Sequence, residues 1–258
     1  MQEAGYIILG IIAGVLSGLF GIGGGIVMVP SLVVFFGLNI LDANSTSLAA
    51  MLLPVGALGV WAYYKAGFIN IKHSLWIALG LFAGSFIGGE LAVNISESLL
   101  TKLYVAILVY IALSYFDIFS YFRNKNKPKI VTEQPSKEKS FWMFVLVGLG
   151  AGVFAGLFGK GGGIIIVPLL VGIFHYDAKM AAATSLAALQ LPVGLPSVVV
   201  YAQNGHLHLL NAALIALGIL IGAFFGSKLA VKLPSAAFKK VYAVFLLSVA
   251  VFMLYKYL

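Results

Sequence analysis

Cysteine is absent from all 258 residues of the chain, and charged residues make up only 9% of them. The absence of cysteine excludes disulfides, thiolate metal sites and cysteine-based sulfur relays. The low charge excludes an ordinary soluble domain, in which about 25% of residues are charged. Hydrophobic residues instead reach 62%. Because so few charges cannot cover a water-facing surface, the composition predicts a protein embedded in lipid.

The apolar residues form several runs of about 20 residues, the length that crosses a hydrocarbon core. The short alternating segments of a β-barrel are missing from the sequence. The first run, residues 5–38, follows Glu3 and no Lys or Arg, which differs from a signal peptide, so we expect it to be retained. The predicted fold class is an all-α polytopic membrane protein. The net charge is +8, and the Lys and Arg residues are concentrated in loops beside these runs. Membrane topology explains these basic residues better than a nucleic-acid partner does.

The chain contains two copies of one unit. A shift of 138 residues aligns 14–119 with 152–257 without a gap. The clearest matches are GLFGIGGG (18–25) with GLFGKGGG (156–163), TSLAA (46–50) with TSLAA (184–188), and LPVG (53–56) with LPVG (191–194). Matches of this length indicate a duplication. We predict a first membrane repeat at 1–121, a basic cytoplasmic linker at 122–140 and a second membrane repeat at 141–258.

Each copy reads as a glycine-broken helical hairpin followed by three transmembrane helices. The hairpins are expected at 5–38 and 141–174. The three spans are expected near 44–65, 73–93 and 98–121, with counterparts near 182–203, 207–230 and 236–257. Basic residues lie in different loops of the two copies. Lys65 and Lys72 flank one loop in the first copy, whereas a different loop in the second is bracketed by Lys228, Lys232, Lys239 and Lys240. Since basic loops stay in the cytoplasm, the copies are predicted to be inverted-topology repeats.

Glycines recur at four-residue intervals in four of the predicted spans. The stripes are Gly10, Gly14 and Gly18; Gly80, Gly84 and Gly88; Gly148, Gly152 and Gly156; and Gly218, Gly222 and Gly226. Such stripes let membrane helices approach without side chains between them, so packing is their expected role.

The two glycine-rich breaks are the predicted substrate site. Inside a bilayer, a broken backbone must be buried in protein or line a wet cavity. The helix after each break presents free N–H groups and the positive end of its dipole, an arrangement that suits an anion. We therefore expect both breaks to contribute to one shared anion site. Its predicted residues in the breaks are Gly21, Gly23, Gly24, Gly25, Gly159, Lys160, Gly161, Gly162 and Gly163.

The two breaks differ at one informative position, where Lys160 replaces Ile22. A lysine at membrane depth costs about 2.5–3.5 kcal/mol on insertion scales and usually faces a cavity or a partner. An anion at the turn would supply the missing countercharge. The alternative is that the side chain extends to the membrane surface.

Polar residues of later spans complete the predicted site. Thr46, Ser47, Thr184 and Ser185 are candidates for ligand contact or for bonding to nearby backbone. Gln190, which stands where the first copy has Leu52, could donate to an oxyanion. Glu90 is the candidate for proton coupling. The histidines His73, His206 and His208 are expected in loops and show no metal-ligand spacing, and no catalytic constellation is present, so neither a metal, a cofactor nor enzyme activity is expected.

The segment Gly18 to Pro30 and its second copy resemble the TauE/SafE family of sulfite exporters, also called the TSUP family. The resemblance covers nearly the whole chain except the linker. It implies secondary transport of sulfur-containing oxyanions such as sulfite, sulfoacetate or other organosulfonates across a prokaryotic inner membrane. Family members are associated with both export and uptake, so the resemblance leaves substrate and direction open.

Three transport functions fit these observations. The first is a secondary transporter working by alternating access; export fits the energetics, since moving one negative charge out of a negative interior gains about 2.3 kcal/mol per 100 mV. The second is a passive anion channel through the same glycine turns. The third is a proton-coupled importer, for which Glu90 is the candidate. The expected partners are the substrate anion and the lipid bilayer, and no oligomeric state is predicted.

The inverted arrangement predicts which loops are cytoplasmic. Single cysteines introduced at Lys72 and at Lys232 should both react with a membrane-impermeant reagent only from the cytoplasmic side, and one at Asn204 only from outside. Because the chain has no native cysteine, each signal reports one site. Labelling of Lys72 and Lys232 from opposite faces would mean that the copies are parallel.

Overall fold

The computed structural model describes residues 2–21, 23–54, 56–100, 102–103, 106, 140–159, 162–233 and 248. In this part of the chain the secondary structure is helical, with no strand. The helices are α1 Gln2–Phe20, α2 Gly25–Phe35, α3 Ile40–Ala50, α4 Ala57–Lys65, α5 Ile71–Asn94, α6 Phe141–Phe158, α7 Gly163–Gly172, α8 Ala178–Ala188, α9 Leu195–Gln203 and α10 Leu209–Lys232. This confirms the predicted all-α class.

Four of these helices, α1, α5, α6 and α10, are long and apolar enough to cross a membrane. Their outer faces carry large exposed apolar side chains, such as Leu79, Phe86, Leu146 and Phe225. An exposed apolar surface of this extent is suited to lipid contact. The spans predicted at 98–121 and 236–257 fall almost entirely outside the described residues, as does the linker apart from Ser140.

The predicted spans at 44–65 and 182–203 are not single helices. Each is broken in the middle, into α3 and α4 in the first copy and into α8 and α9 in the second. The breaks contain the two LPVG segments, where Pro54 and Pro192 each lack a backbone N–H and cannot continue the helix. The prediction of continuous spans was wrong because hydropathy measures apolar character and says nothing about backbone continuity.

The first segment of each copy folds back on itself. Near the start of α1, the ring of Tyr6 stacks on Phe36, which follows α2, with ring centroids 4.3 Å apart. The equivalent rings of the second copy, Phe144 and Phe174, lie 4.6 Å apart. Each pair of helices, α1 with α2 and α6 with α7, is therefore a hairpin whose tip is the glycine turn.

The glycine stripes join helices of different copies. A Cβ on Gly14 would lie 2.6 Å from the carbonyl oxygen of Ile219, and one on Gly222 would lie 2.2 Å from that of Ile11. Such distances leave no room for a side chain, so the backbones of α1 and α10 touch. Contacts advance together along the two helices, which therefore run parallel. The stripe of α5 meets that of α6 in the same way, and the expected packing role is observed.

The two broken helices cross near their breaks. Helix α3 packs on α9, and α4 packs on α8. Leu48 lies 3.3 Å from the position of a Cβ on Gly194, and the amide nitrogen of Gln190 lies 2.5 Å from that of a Cβ on Gly56. The half before one break thus contacts the half after the other break. The two broken helices therefore run antiparallel to each other.

Adding a methyl group inside a stripe should be costly, because the backbone opposite cannot move aside. In α6, a Cβ on Gly152 would lie 2.4 Å from the carbonyl oxygen of Leu81, whereas a Cβ on Gly150 meets nothing within 4 Å. Gly152→Ala should destabilise the protein by about 1–3 kcal/mol, as overpacking does. The matched control Gly150→Ala should be neutral or stabilising by up to about 1 kcal/mol, since alanine is the better helix former. Thermal unfolding of both variants in detergent measures this; equal midpoints would contradict it.

Candidate functional site

The two glycine turns have left-handed backbone conformations that favour glycine. In the first turn, φ is 68° at Gly21, 80° at Gly23 and 75° at Gly24. In the second, φ is 64° at Gly159 and 54° at Gly162. The first helical residues after the turns are Gly25 and Gly163, and neither α2 nor α7 has a side-chain cap at its N-terminus. Backbone N–H groups at both helix starts are thus left without a side-chain acceptor.

Each glycine turn lies against the third helix of the other copy. A Cβ on Gly21 would lie 2.2 Å from the carbonyl oxygen of Ala182 in α8, and the hydroxyl of Ser185 donates to the carbonyl oxygen of Gly21 at 2.8 Å. A Cβ on Gly159 would lie 2.3 Å from the Cα of Asn44 in α3. The structure therefore brings Ser185 to the first turn, as part of a closely packed contact.

The predicted residues of α3 lie in a buried polar run. Asn44, Ser45, Thr46 and Ser47 have 0% of their surface exposed. Asn44 Nδ2 donates to the carbonyl oxygen of Leu157 at 3.0 Å. Within the described part of the chain, Asn44 Oδ1 and the three hydroxyl oxygens have no hydrogen-bond partner. This is unusual, because most buried polar atoms in proteins are paired.

The equivalent residues of α8 differ from those of α3 in side chain or in hydrogen bonding. Asn44 and Ser45 are replaced there by Ala182 and Ala183. The hydroxyl of Thr184 accepts from the backbone N–H of Asn70 at 3.4 Å, and that of Ser185 has its bond to the first turn. Among the described residues, the hydroxyls of Thr184 and Ser185 thus have partners, whereas those of Ser45, Thr46 and Ser47 do not.

Gln190 lies at the break that follows α8. Its Nε2 donates to the carbonyl oxygen of Leu186 at 2.8 Å, while its buried Oε1 has no partner among the described residues. A cavity of about 10 Å³ lies at the crossing of the two broken helices, between Leu48, Leu81, Ser85, Val193 and their neighbours. This volume has room for about one water molecule, so the crossing itself holds no sulfur oxyanion in this conformation.

Other predicted site residues are placed apart from this region or not described. Lys160 and Gly161 lie outside the described residues. Glu90 is exposed on α5 one turn before its end, where its backbone carbonyl accepts from Asn94. Its role in proton coupling stays a prediction.

The predicted placement of all three histidines in loops was partly wrong, because His73 lies in the first turn of α5, where its ring bonds to the hydroxyl of Tyr176. His206 and His208 do lie in the loop before α10, and both contact the carboxylate of Asp42, at 2.8 and 3.2 Å. No group of residues with metal-binding geometry is present in the described part of the chain.

Asn44 and Ser45 were not among the predicted site residues. A signal for them was available, because they are departures from the repeat, like Lys160 and Gln190. Comparison of the two TSLAA motifs alone missed them, since they stand just before the motif.

A buried tyrosine hydroxyl bonds to the C-terminal end of the helix that precedes each glycine turn. The hydroxyl of Tyr63, in α4, donates to the carbonyl oxygens of Gly18 and Leu19 at 3.0 and 3.2 Å. The hydroxyl of Tyr201, in α9, donates to that of Gly156 at 2.8 Å. Carbonyls in the last turn of a helix have no partner within the helix, so these bonds fix the ends of α1 and α6 next to the glycine turns.

Comparisons with known proteins agree with this picture. The model of the family "Sulfite exporter TauE/SafE" matches residues 6–253. The probable membrane transporter protein MJ0441 of Methanocaldococcus jannaschii is 30% identical over 88% of this chain and 84% of its own length. YunE of Bacillus subtilis, also named a probable membrane transporter, is 28% identical over 86% and 85%. A probable membrane transporter of Haemophilus influenzae is 28% identical over 97% of both chains. No solved structure matches.

The long apolar helices and these relatives define a membrane transporter, and not an enzyme. The chain belongs to the sulfite exporter TauE/SafE family.

Loss of a tyrosine hydroxyl should weaken the anchoring of the turns. Tyr63→Phe and Tyr201→Phe each leave buried carbonyls unpaired, which should cost about 1–3 kcal/mol. The matched control is Tyr64→Phe, because Tyr64 neighbours Tyr63 in the chain but is 59% exposed. Thermal unfolding of the three purified variants checks this; a Tyr63→Phe midpoint equal to that of Tyr64→Phe would show that the hydroxyl adds nothing.

Proposed function

We propose that this transporter moves small sulfur-containing oxyanions, such as sulfite, sulfoacetate or another organosulfonate, by alternating access across the inner membrane, and that it exports them. The observation that carries the proposal is the pair of uncapped helix N-termini, of α2 and α7, at glycine turns that pack against the buried polar residues of α8 and α3. Free N–H groups and the dipole favour an anion at such a helix start. The name of the family, sulfite exporter TauE/SafE, supports sulfur oxyanions as the substrate class.

We also propose that the two copies, at 1–121 and 141–258, insert with opposite orientation and that the linker at 122–140 is cytoplasmic. The antiparallel direction of the two broken helices supports this, as does the different placement of lysines in the two copies. Each closely packed helix pair contains one helix from each copy, since α1 packs on α10 and α5 packs on α6. Relative rocking of these two pairs about the crossing of the broken helices would expose the turns to each side alternately.

A transporter is favoured over the passive channel by the crossing of the broken helices. Its cavity of about 10 Å³ accepts about one water molecule, which fits a closed intermediate better than an open pore. Export is favoured over proton-coupled import because Glu90 is exposed and lies on a different helix from the buried polar run of α3. An anion also leaves a negative interior downhill, by about 2.3 kcal/mol per 100 mV for each charge.

Counterflow in proteoliposomes tests the mechanism. Vesicles loaded with unlabelled sulfite should accumulate external ³⁵S-labelled sulfite transiently, with a rate that saturates, because one site serves both sides in turn. Protein-free vesicles are the control. Flux that rises linearly with sulfite and shows no counterflow would favour the channel, and the absence of flux for every sulfur oxyanion would contradict the proposed substrate class.

Lys160 is proposed to supply the positive charge at the second turn. Hydrogen bonds to charged groups contribute about 1.5–3 kcal/mol, so Lys160→Ala should weaken sulfite binding about tenfold to a hundredfold. Ile22→Ala, at the equivalent position of the first turn, is the matched control and should change affinity much less. Isothermal titration of detergent-purified protein measures both. Unchanged affinity in Lys160→Ala would mean that this side chain extends to the membrane surface.

A further inference from the structure

Asn44 and Ser47 lie on one face of α3, because residues three apart on a helix are neighbours. That face is turned to the second glycine turn, as shown by the bond from Asn44 Nδ2 to Leu157 and by the contact of Asn44 with Gly159. Ser45 and Thr46 project at other angles around the helix. The face therefore presents two unpaired atoms, Asn44 Oδ1 and Ser47 Oγ, both fully buried.

The same face of α8 has no unpaired group. Ala182 replaces Asn44, and Ser185, which replaces Ser47, donates to the carbonyl oxygen of Gly21. Ser47 makes no such bond among the described residues. Both turns pack closely on a helix of the other copy, but the hydroxyl beside the first turn is bonded, whereas the Ser47 hydroxyl and the Asn44 amide oxygen have no partner among the described residues.

The two halves of the repeat differ in sequence at two positions that bear on this comparison. Asn44 belongs to the first copy, and Lys160, which follows Gly159 in the chain, belongs to the second. At the other half of the repeat both positions are apolar, with Ala182 and Ile22. Duplication would make the two halves alike, so Asn44 and Lys160 are both polar departures from the repeat.

We infer that the substrate anion binds at one half of the repeat, between Asn44 and Ser47 of α3 and the second glycine turn, and that the first turn is structural. The inference rests on the proposed function and narrows its site. Ser47 supplies a hydroxyl donor to an oxygen of the anion, and the uncapped start of α7 supplies backbone N–H groups.

Asn44 also determines what kind of anion fits. A backbone carbonyl only accepts hydrogen bonds, so the atom of Asn44 that bonds to Leu157 is the nitrogen, and the free atom is the oxygen. The Asn44 side chain also hydrogen-bonds to the hydroxyl of Tyr201, which donates its own proton to Gly156, and Asn44 Oδ1 has no partner among the described residues. A buried amide oxygen requires a donor. The preferred ligand is therefore an oxyanion that carries one donor of its own, such as hydrogen sulfite or a sulfonate with a hydroxyl or ammonium group.

The location of the site is tested with Ser47→Ala, using sulfite as the probe and calorimetric titration of detergent-purified protein. Ser47→Ala should weaken sulfite binding about tenfold, the loss of one buried hydrogen bond, while the thermal midpoint of the ligand-free protein stays equal or rises. Ser74→Ala is the matched control: its buried hydroxyl bonds to Asn70 and Thr184, so this variant should lose stability and keep its sulfite affinity. Ser185→Ala should also lose stability, and should lose far less affinity than Ser47→Ala.

The ligand class is tested with two sulfonates that differ by one hydroxyl, 2-hydroxyethanesulfonate and ethanesulfonate. The wild-type protein should prefer the hydroxyl-bearing anion about tenfold, and Asn44→Ala should remove this preference. The selectivity ratio is informative because a general loss of packing would weaken both anions alike. If Asn44→Ala does not fold, the preference of the wild-type protein still tests the ligand class, and the Ser47→Ala titration still tests the location of the site.

The possible results separate the site from the function. Sulfite binding that is unchanged in Ser47→Ala, or that falls equally in Ser47→Ala and Ser185→Ala, would overturn the one-sided site and leave sulfur oxyanion transport standing. Binding of phosphate instead of any sulfur anion, with a loss in Ser47→Ala, would support the site and overturn the proposed substrate class. A wild-type protein that binds none of these anions would overturn both.

Discussion

Backbone contact between glycine-striped helices determines how the other helices of this protein are arranged. In a bilayer, helices gain little from burying apolar side chains against each other, because lipid is equally apolar, and close packing has to supply the attraction. Here α1 touches α10 and α5 touches α6, each pair through glycines at four-residue intervals. These pairs tie each copy to the other and hold the broken helices between them. The glycine turns, at the tips of hairpins that start from α1 and α6, are positioned by the same contacts.

The second constraint is that polar groups removed from both water and lipid need partners. Most of those described here have one: Tyr63 and Tyr201 bond to the ends of α1 and α6, and Ser185 bonds to the first turn. The polar run of α3 is the exception. A protein that keeps unpaired groups in its interior gives up stability there, and binding sites are where such a loss is commonly tolerated. The exception therefore has a natural explanation in the proposed transport of an anion.

Much of the fold could be predicted from the sequence. The lengths of α5 and α10, the hairpin at the first glycine turn and the packing role of the stripes follow from hydropathy, from glycine conformation and from spacing, all of which are local properties. The partner of each stripe could not be predicted, because small residues at intervals of four fit any similar stripe. The break after Ala50 was missed although Pro54 and Gly56 lie within it. For the site, Thr46 and Ser47 were predicted from the repeated motif; Asn44 could have been found as a departure from the repeat, but its contact with the second turn could not be predicted.

The pairing of α1 with α10 also has a consequence for biogenesis. Helix α6 follows α5 in the chain, so that pair can close while the second copy is still being synthesised. Helix α1 cannot pair this early, because its partner α10 is complete only after Lys232 has been synthesised. At about 5–20 residues per second, translation of the intervening chain takes roughly ten to forty seconds. During this interval the glycine face of the first helix lies in the membrane without its partner, where it is open to the wrong helix or to a chaperone of the insertion machinery.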